Sequence, residues 1–311
     1  DVPFTVSTTT DWDDPLVVEY ANMPQKGSVK AMKVDAETGE PVPAAGIEFD
    51  LVAASDIKTG DGVVHVPAGE IAAHIVTAAD GTATAEDLYL GSYRIVETLA
   101  PEGYVLNGEP VDVTLSYAGQ EVEAAYAESE FGDVPQKGII EAHKVDAESG
   151  LPVAVPGIEF RVTAAADVVT PDGTVRAHEG DVVAEVVTGD DGKAETPELY
   201  LGRYEVEETL APDGYVLNGE PVDVTLSYAG QEVAVTRAGA VVEDAPQKGV
   251  IEIVKTDEAD GRAVPGAVYE VTAAADIVTP DGTVHASSGD VVATVTTGDD
   301  GKAETDELYL G

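Results

Sequence analysis

Along the chain, apolar and polar residues alternate in runs of six to nine, among them GVIEIVKTD, IEFRVTA, GDVVAEVVT, YEVEET, PVDVTLS and QEVAVT. A period of two puts successive side chains on opposite faces of an extended segment, so each run predicts a strand with one buried face. Between the runs stand Asp-Gly, Asn-Gly, Ala-Gly and Pro-Asp-Gly, the residues that chain reversals require. No stretch sustains a helical period. Short strands punctuated by turns predict an all-β protein of Ig-like sandwich domains with mainly antiparallel sheets.

The pattern itself recurs. Pro24-Gln25-Lys26-Gly27 returns at 135–138 and at 246–249, a spacing of 111 residues both times (135 − 24 and 246 − 135). The same offset links Lys33 to Lys144 and Lys255, Tyr104 to Tyr215, and Glu97 to Glu208. A period this long predicts whole domains in tandem, since solenoid units are far shorter. Residues 23–133 and 134–244 are expected to be complete domains. Residues 1–22, with PFTVS where PVDVTLS would lie, read as the last strands of a truncated preceding domain. Residues 245–311 read as the first part of a third, which stops after ELYLG. Pro-Gln-Lys-Gly is the expected junction, short enough for a fairly stiff linear array cut from a longer one.

Composition narrows the function classes. Sixty acidic against sixteen basic residues give a formal charge of −44. Such a polyanion repels phosphate backbones and anionic lipid, which argues against nucleic acid and membrane as partners. With no cysteine, disulfides and thiolate metal sites are excluded. No apolar run is long enough to span a bilayer, and no signal peptide opens the sequence, so export and anchoring segments are expected outside it.

Strand parity then singles out charged residues on apolar faces. Val29, Ala31 and Lys33 share a face, as do Ile140, Ala142 and Lys144, and Ile251, Ile253 and Lys255. Tyr93, Ile95 and Glu97 point one way, as do Tyr204, Val206 and Glu208. At the repeat's end Phe131 shares a face with Asp133, Val242 with Asp244, and Tyr20 with Asn22. A lysine that continues an apolar stripe needs a partner, because burying a lone ammonium is costly.

In these residues the sequence resembles the Cna protein B-type, or SpaA-like, prealbumin-like domains of Gram-positive surface proteins and pilins. The matching pieces are KVDAETGEPVPAAGIEF, the glutamate box YRIVETLAPEGY, and the repeat ends ANMPQKG, GDVPQKG and EDAPQKG. The resemblance implies an isopeptide bond between a first-strand Lys and a last-strand Asn or Asp, assisted by the glutamate of the box. Carried over, Lys33 would join Asp133 with Glu97 as proton shuttle, and Lys144 would join Asp244 with Glu208. Asn22 and Lys255 would lack their partners within this sequence. Both complete repeats carry Asp where many relatives have Asn, so water would leave in place of ammonia and the carboxyl must be protonated when attacked. Burial disfavours charge, which brings a neutral amine to a neutral carboxyl, while folding supplies proximity. Such a reaction is a single-turnover self-modification and not enzyme turnover. The other reading of the same residues is a buried salt bridge that never reacts.

The resemblance also implies a bacterial cell-surface location, attached to the wall through segments not present here, and needs no cofactor. The leading expectation is a structural stalk or pilus-like shaft whose partners are neighbouring repeats of the same chain. Domains outside the sequence would contact any host matrix or glycan. The alternative is an adhesin whose repeats themselves grip such a ligand; a third possibility is a non-catalytic module of a secreted enzyme. Few aromatic residues favour a spacer over a binding surface. Asp-rich turns such as Gly189-Asp190-Asp191-Gly192 and Thr170-Pro171-Asp172-Gly173 lack the ligand alternation of a calcium loop. The histidines at 65, 74, 143, 178 and 285 show no metal spacing, and no GxSxG, HExxH or phosphate-loop pattern occurs. Trp12, the only tryptophan, reads as a loop or core residue.

Overall fold

The computed structural model describes Val17 and residues 19–311. Trp12 and most of the segment read as late strands of a preceding domain lie outside the described residues. Of that segment, Val17 and residues 19–22 form no strand, and Tyr20 and Asn22 are exposed.

The first repeat contains ten strands: β1 (Lys26–Asp35), β2 (Glu48–Ala53), β3 (Ile57–Lys58), β4 (Val64–Val66), β5 (Ile71–Val76), β6 (Thr82–Tyr89), β7 (Gly91–Leu99), β8 (Tyr104–Val105), β9 (Val111–Leu115) and β10 (Ala124–Pro135). They form two four-stranded sheets, β6-β1-β10-β8 and β5-β2-β7-β9, with β3 and β4 as a separate hairpin. Inward faces of the two sheets meet in a core that includes Val29, Ile47, Phe49, Leu51, Tyr93, Ile95 and Phe131. Burying each large apolar side chain contributes roughly 1.5–3 kcal/mol. Phe49 and Phe131 bridge the sheets with ring centroids 4.8 Å apart.

Pairing is antiparallel with one exception, and that exception positions the site. β1 and β10 lie parallel, in register from Lys26 opposite Ala124 to Asp35 opposite Asp133. The first and last strands of the repeat therefore run side by side although about a hundred residues separate them.

The second repeat repeats this plan. Its strand Lys137–Asp146 lies parallel to Val235–Pro246, and its Gly202–Leu210 strand sits in the opposite sheet. In residues 245–311 the strands form four separate pairs: Lys248–Gly249 with Leu308–Tyr309, Glu252–Val254 with Lys302–Glu304, Val268–Thr272 with Val291–Thr296, and Ile277–Val278 with Val284–Ala286. The Pro-Gln-Lys-Gly junction contains almost no linker. Pro135 ends β10 and Lys137 begins the next strand, which leaves Gln136 alone between them. That residue is buried: its N–H donates to Gly103 O at 2.8 Å, and its side chain donates to Gly230 O at 2.9 Å.

Candidate functional site

Alternation along β1 buries Val29, Ala31, Lys33 and Asp35, all at 0% exposure. Lys33 thus enters the core from one sheet, beside Asp133 of β10, while Glu97 on β7 enters from the other. Lys33 Nζ lies 2.6 Å from Glu97 Oε2 and 2.7 Å from Asp133 Oδ2. In the second repeat Lys144 Nζ lies 2.5 Å from Glu208 Oε2 and 2.6 Å from Asp244 Oδ1. All six side chains are almost wholly removed from solvent.

Electrostatics at the two clusters agree. Burial pushes Glu97 up to about 8; the Lys33 ammonium opposes the rise and the Asp133 carboxylate adds to it. Burial likewise pushes Glu208 up to about 7, against the pull of Lys144. Phe49 is the register partner of Glu97 and packs at a tilt against Phe131, so apolar rings contribute to the dry surroundings. Each glutamate therefore holds a proton at pH values where an exposed carboxyl has already lost it. Glu97 Oε1 in the first cluster, and Glu208 Oε1 with Asp244 Oδ2 in the second, are buried with neither a hydrogen-bond nor an ion-pair partner.

The acceptor carboxyls are held from outside the trio as well. Asn107 N–H donates to Asp133 Oδ1 at 3.1 Å, and Asn218 N–H donates to Asp244 Oδ1 at 3.0 Å. The repeats differ in one detail. Lys33 meets the oxygen that Asn107 leaves free, whereas Lys144 and Asn218 share one oxygen. Parity does not identify these backbone donors; the repeated Val-Leu-Asn-Gly turn is the signal that marks them.

A second buried carboxylate escaped the sequence reading. Asp35 accepts the N–H groups of Glu37 and Thr38 and the Tyr104 hydroxyl at 2.9 Å. Asp146 does the same with Glu148, Ser149 and Tyr215. Burial, reinforced by these aspartates, pushes both tyrosines far above their ordinary value. The available signal was parity, because Asp35 continues the stripe of residues 29, 31 and 33.

The remaining candidates are not brought to any such cluster. Lys255 is exposed, as is Asn22. No group of His, Cys, Asp and Glu suited to a metal occurs among the described residues.

Comparison with known proteins agrees with this architecture. The model of the SpaA prealbumin-like fold domain matches residues 27–129 and again 138–239. No curated protein matches the sequence. Among solved structures, the Bacillus anthracis TIE protein aligns at 25% identity with a TM-score of 0.56, over 92% of this chain and 44% of that one. The chain thus spans less than half the length of that relative. A streptococcal ancillary pilin aligns at 24% identity and a TM-score of 0.29, over 78% of this chain and 69% of that one. The major pilin SpaD of Corynebacterium diphtheriae aligns at 14% identity and a TM-score of 0.28, over 74% and 100%.

Proposed function

Since the chain belongs to the SpaA family of prealbumin-like fold domains, we propose that it is a length of bacterial cell-surface stalk or pilus-like shaft whose complete repeats staple themselves through Lys33–Asp133 and Lys144–Asp244 isopeptide bonds. The observation that carries this reading is the buried Lys-Glu-Asp cluster, built twice in the same register at a spacing of 111 residues.

The chemistry follows from the proton inventory. With Glu97 protonated, an ammonium and one carboxylate make the trio neutral overall. Moving one proton from Lys33 to Asp133 by way of Glu97 yields an amine facing a carboxylic acid. Lys33 Nζ then attacks Asp133 Cγ; the N–C bond forms, the C–O bond breaks, and the hydroxyl leaves with a proton as water. Glu97 gives its own proton to the leaving hydroxyl and takes the one the amine sheds, so it ends protonated as it began. Asn107 N–H stabilises charge that develops on the acceptor oxygen. A proton on Glu97 Oε1 or Glu208 Oε1, both buried without a partner, would relieve that oxygen of an unsatisfied negative charge, which supports the protonated form.

The parallel pairing gives such a bond a mechanical use. Tension enters the repeat at the start of β1 and leaves at the end of β10. A Lys33–Asp133 bond would route it straight across, leaving residues 34–132 off the load path. By analogy with a disulfide closing a loop of 100 residues (133 − 33), chain entropy alone gives about 4–5 kcal/mol.

Intact mass tests the reading. The folded protein should weigh two waters less than its sequence, and Glu97→Gln should restore one water while the second repeat keeps its bond. An unmodified mass in fully folded protein would leave only a buried salt bridge.

A further inference from the structure

Where one repeat meets the next, the turn after the Lys-bearing strand lies against the start of the following repeat. It reads Asp35-Ala36-Glu37-Thr38-Gly39 in the first repeat and Asp146-Ala147-Glu148-Ser149-Gly150 in the second. Glu37 is met by three groups of the second repeat. Lys137 Nζ lies 2.8 Å from Oε1, while the Tyr200 hydroxyl at 2.7 Å and Arg176 Nη1 at 3.2 Å reach Oε2. Glu148 is met in the same way, by Lys248 Nζ at 2.7 Å and by the Tyr309 hydroxyl. The next residue adds a matching bond: Thr38 donates to Asp172 at 3.0 Å, and Ser149 donates to Asp281 at 2.7 Å.

The receiving side is built three times. An ammonium sits over a tyrosine ring at 4.6 Å for Lys26 on Tyr89, 4.7 Å for Lys137 on Tyr200 and 4.4 Å for Lys248 on Tyr309. A third side chain stacks on each ring: His65, Arg176 and His285 respectively. In the first repeat, where no described residue supplies the glutamate, the lysine and tyrosine keep this arrangement and Lys26 pairs with its own Asp87 at 2.8 Å. Among the described residues, the receiving lysine and tyrosine thus keep their places with only a carboxylate of their own repeat, which lowers the entropic cost of filling the set.

We propose that the start of each repeat is a socket for the glutamate of an Asp-Ala-Glu-Ser/Thr-Gly turn on the repeat before it, and that this contact fixes the angle between consecutive repeats. The proposal builds on the reading of the chain as a stalk and does not require the isopeptide bonds. Its strength is graded by the side chain on the tyrosine. Arg176 also reaches Asp35 of the preceding repeat at 3.3 Å, a contact His285 does not make. At the first joint the backbone approaches closely as well: Gly103, with φ 92°, would place a Cβ 3.0 Å from Pro171, whereas the equivalent Gly214 faces open space. The joint at Glu37 is therefore the stiffer one.

The sequence has no cysteine, so paired spin labels can be introduced cleanly in the full chain, at Thr114 and Glu185 for the first joint and at Thr225 and Thr294 for the second. Each pair should give one narrow distance peak. Glu37→Ala, and separately Tyr200→Phe from the other side of the socket, should lose the narrow peak at the first joint only; Glu148→Ala should do so at the second only. Arg176→His should broaden the first joint and His285→Arg should narrow the second. Unchanged distributions in both glutamate variants would overturn the socket, and inert swaps at 176 and 285 would overturn the grading. Intact mass on the same samples reads the isopeptide bonds separately, so a missing bond with an intact narrow peak would count against the stapling reading alone.

Discussion

Lys33 and Lys255 occupy the same place in the same local pattern, and their backbones are held alike. Lys33 N–H donates to Gly81 O and its carbonyl accepts Val42 N–H; Lys255 N–H donates to Gly301 O and its carbonyl accepts Val264 N–H. Yet Lys33 is wholly buried and Lys255 is exposed. Ile251, two turns of the alternation earlier, is also exposed, where its counterparts Val29 and Ile140 lie in the core. The difference is made elsewhere in the chain. β1 has β10 along one edge and faces β7 across the core, whereas strand Glu252–Val254 pairs only with Lys302–Glu304 among the described residues. A lysine's chemistry here is set by strands roughly sixty and a hundred residues away, not by its own.

The strongest way to break that comparison is to push the first repeat toward the state of the third. Asp133→Ala removes the acceptor and leaves the Lys33 amine buried with Glu97 alone. Losing one partner of a buried pair costs about 3–5 kcal/mol. If the proposed Lys33–Asp133 bond has formed, the variant instead loses closure of the long loop, about 4–5 kcal/mol by the chain-entropy analogy. Calorimetry of the full chain should then show the first repeat melting well below the second, with the second unmoved. A single unchanged transition would mean that neither the pair nor the bond stabilises the repeat.

How far this was visible beforehand depends on the range of the interaction. Alternation placed Lys33, Glu97 and Asp133, and their equivalents Lys144, Glu208 and Asp244, on interior faces, and all six are buried. Period two is a local property, so the sequence displays it directly. The parallel pairing of first and last strands is not local, and nothing in either strand announces its neighbour. Asp35 sits on the same stripe as Lys33 and is equally buried, but it also opens a turn, where an aspartate is ordinarily solvated. Arg176 and Tyr200 carry no pattern that points to Glu37; the contact exists only once two domains are placed end to end. The histidines at 65 and 285 stack on Tyr89 and Tyr309, contacts between separate strands that periodicity does not encode.

A smaller effect sharpens the contrast between the two complete repeats. Tyr104→Phe and Tyr215→Phe each remove one hydroxyl from a buried aspartate. Hydrogen bonds to charged groups contribute about 1.5–3 kcal/mol. Asp35 keeps Arg176 from the next repeat at 3.3 Å, whereas Asp146 retains only the Glu148 and Ser149 N–H donors. The second substitution should therefore destabilise its repeat more than the first does. Urea unfolding of the two variants would measure this, and equal losses would show that Arg176 contributes nothing to Asp35.

Under the stapling proposal, the least change to the finished protein is expected from pH, because it would alter the rate of bond formation and not the product. Glu97 rises from an ordinary 4.5 to about 8, and Glu208 rises as well. A carboxyl raised in the folded state binds its proton more tightly there, so its contribution is fully present below the unfolded value and is lost as pH rises through the folded one. Before reaction, each cluster should thus hold the fold less well above about pH 8 than at pH 6. Over the same interval the glutamate loses the proton that the leaving hydroxyl needs. Chains synthesised in vitro, kept unfolded in urea and then diluted into buffers from pH 6 to pH 10 should lose their two waters more slowly at the alkaline end. Timed quenching and intact mass would follow it. Simple deprotonation of an exposed amine predicts the opposite trend, a rate that climbs with pH. A climbing rate would remove the glutamates from the proton path and leave proximity as the whole of the catalysis.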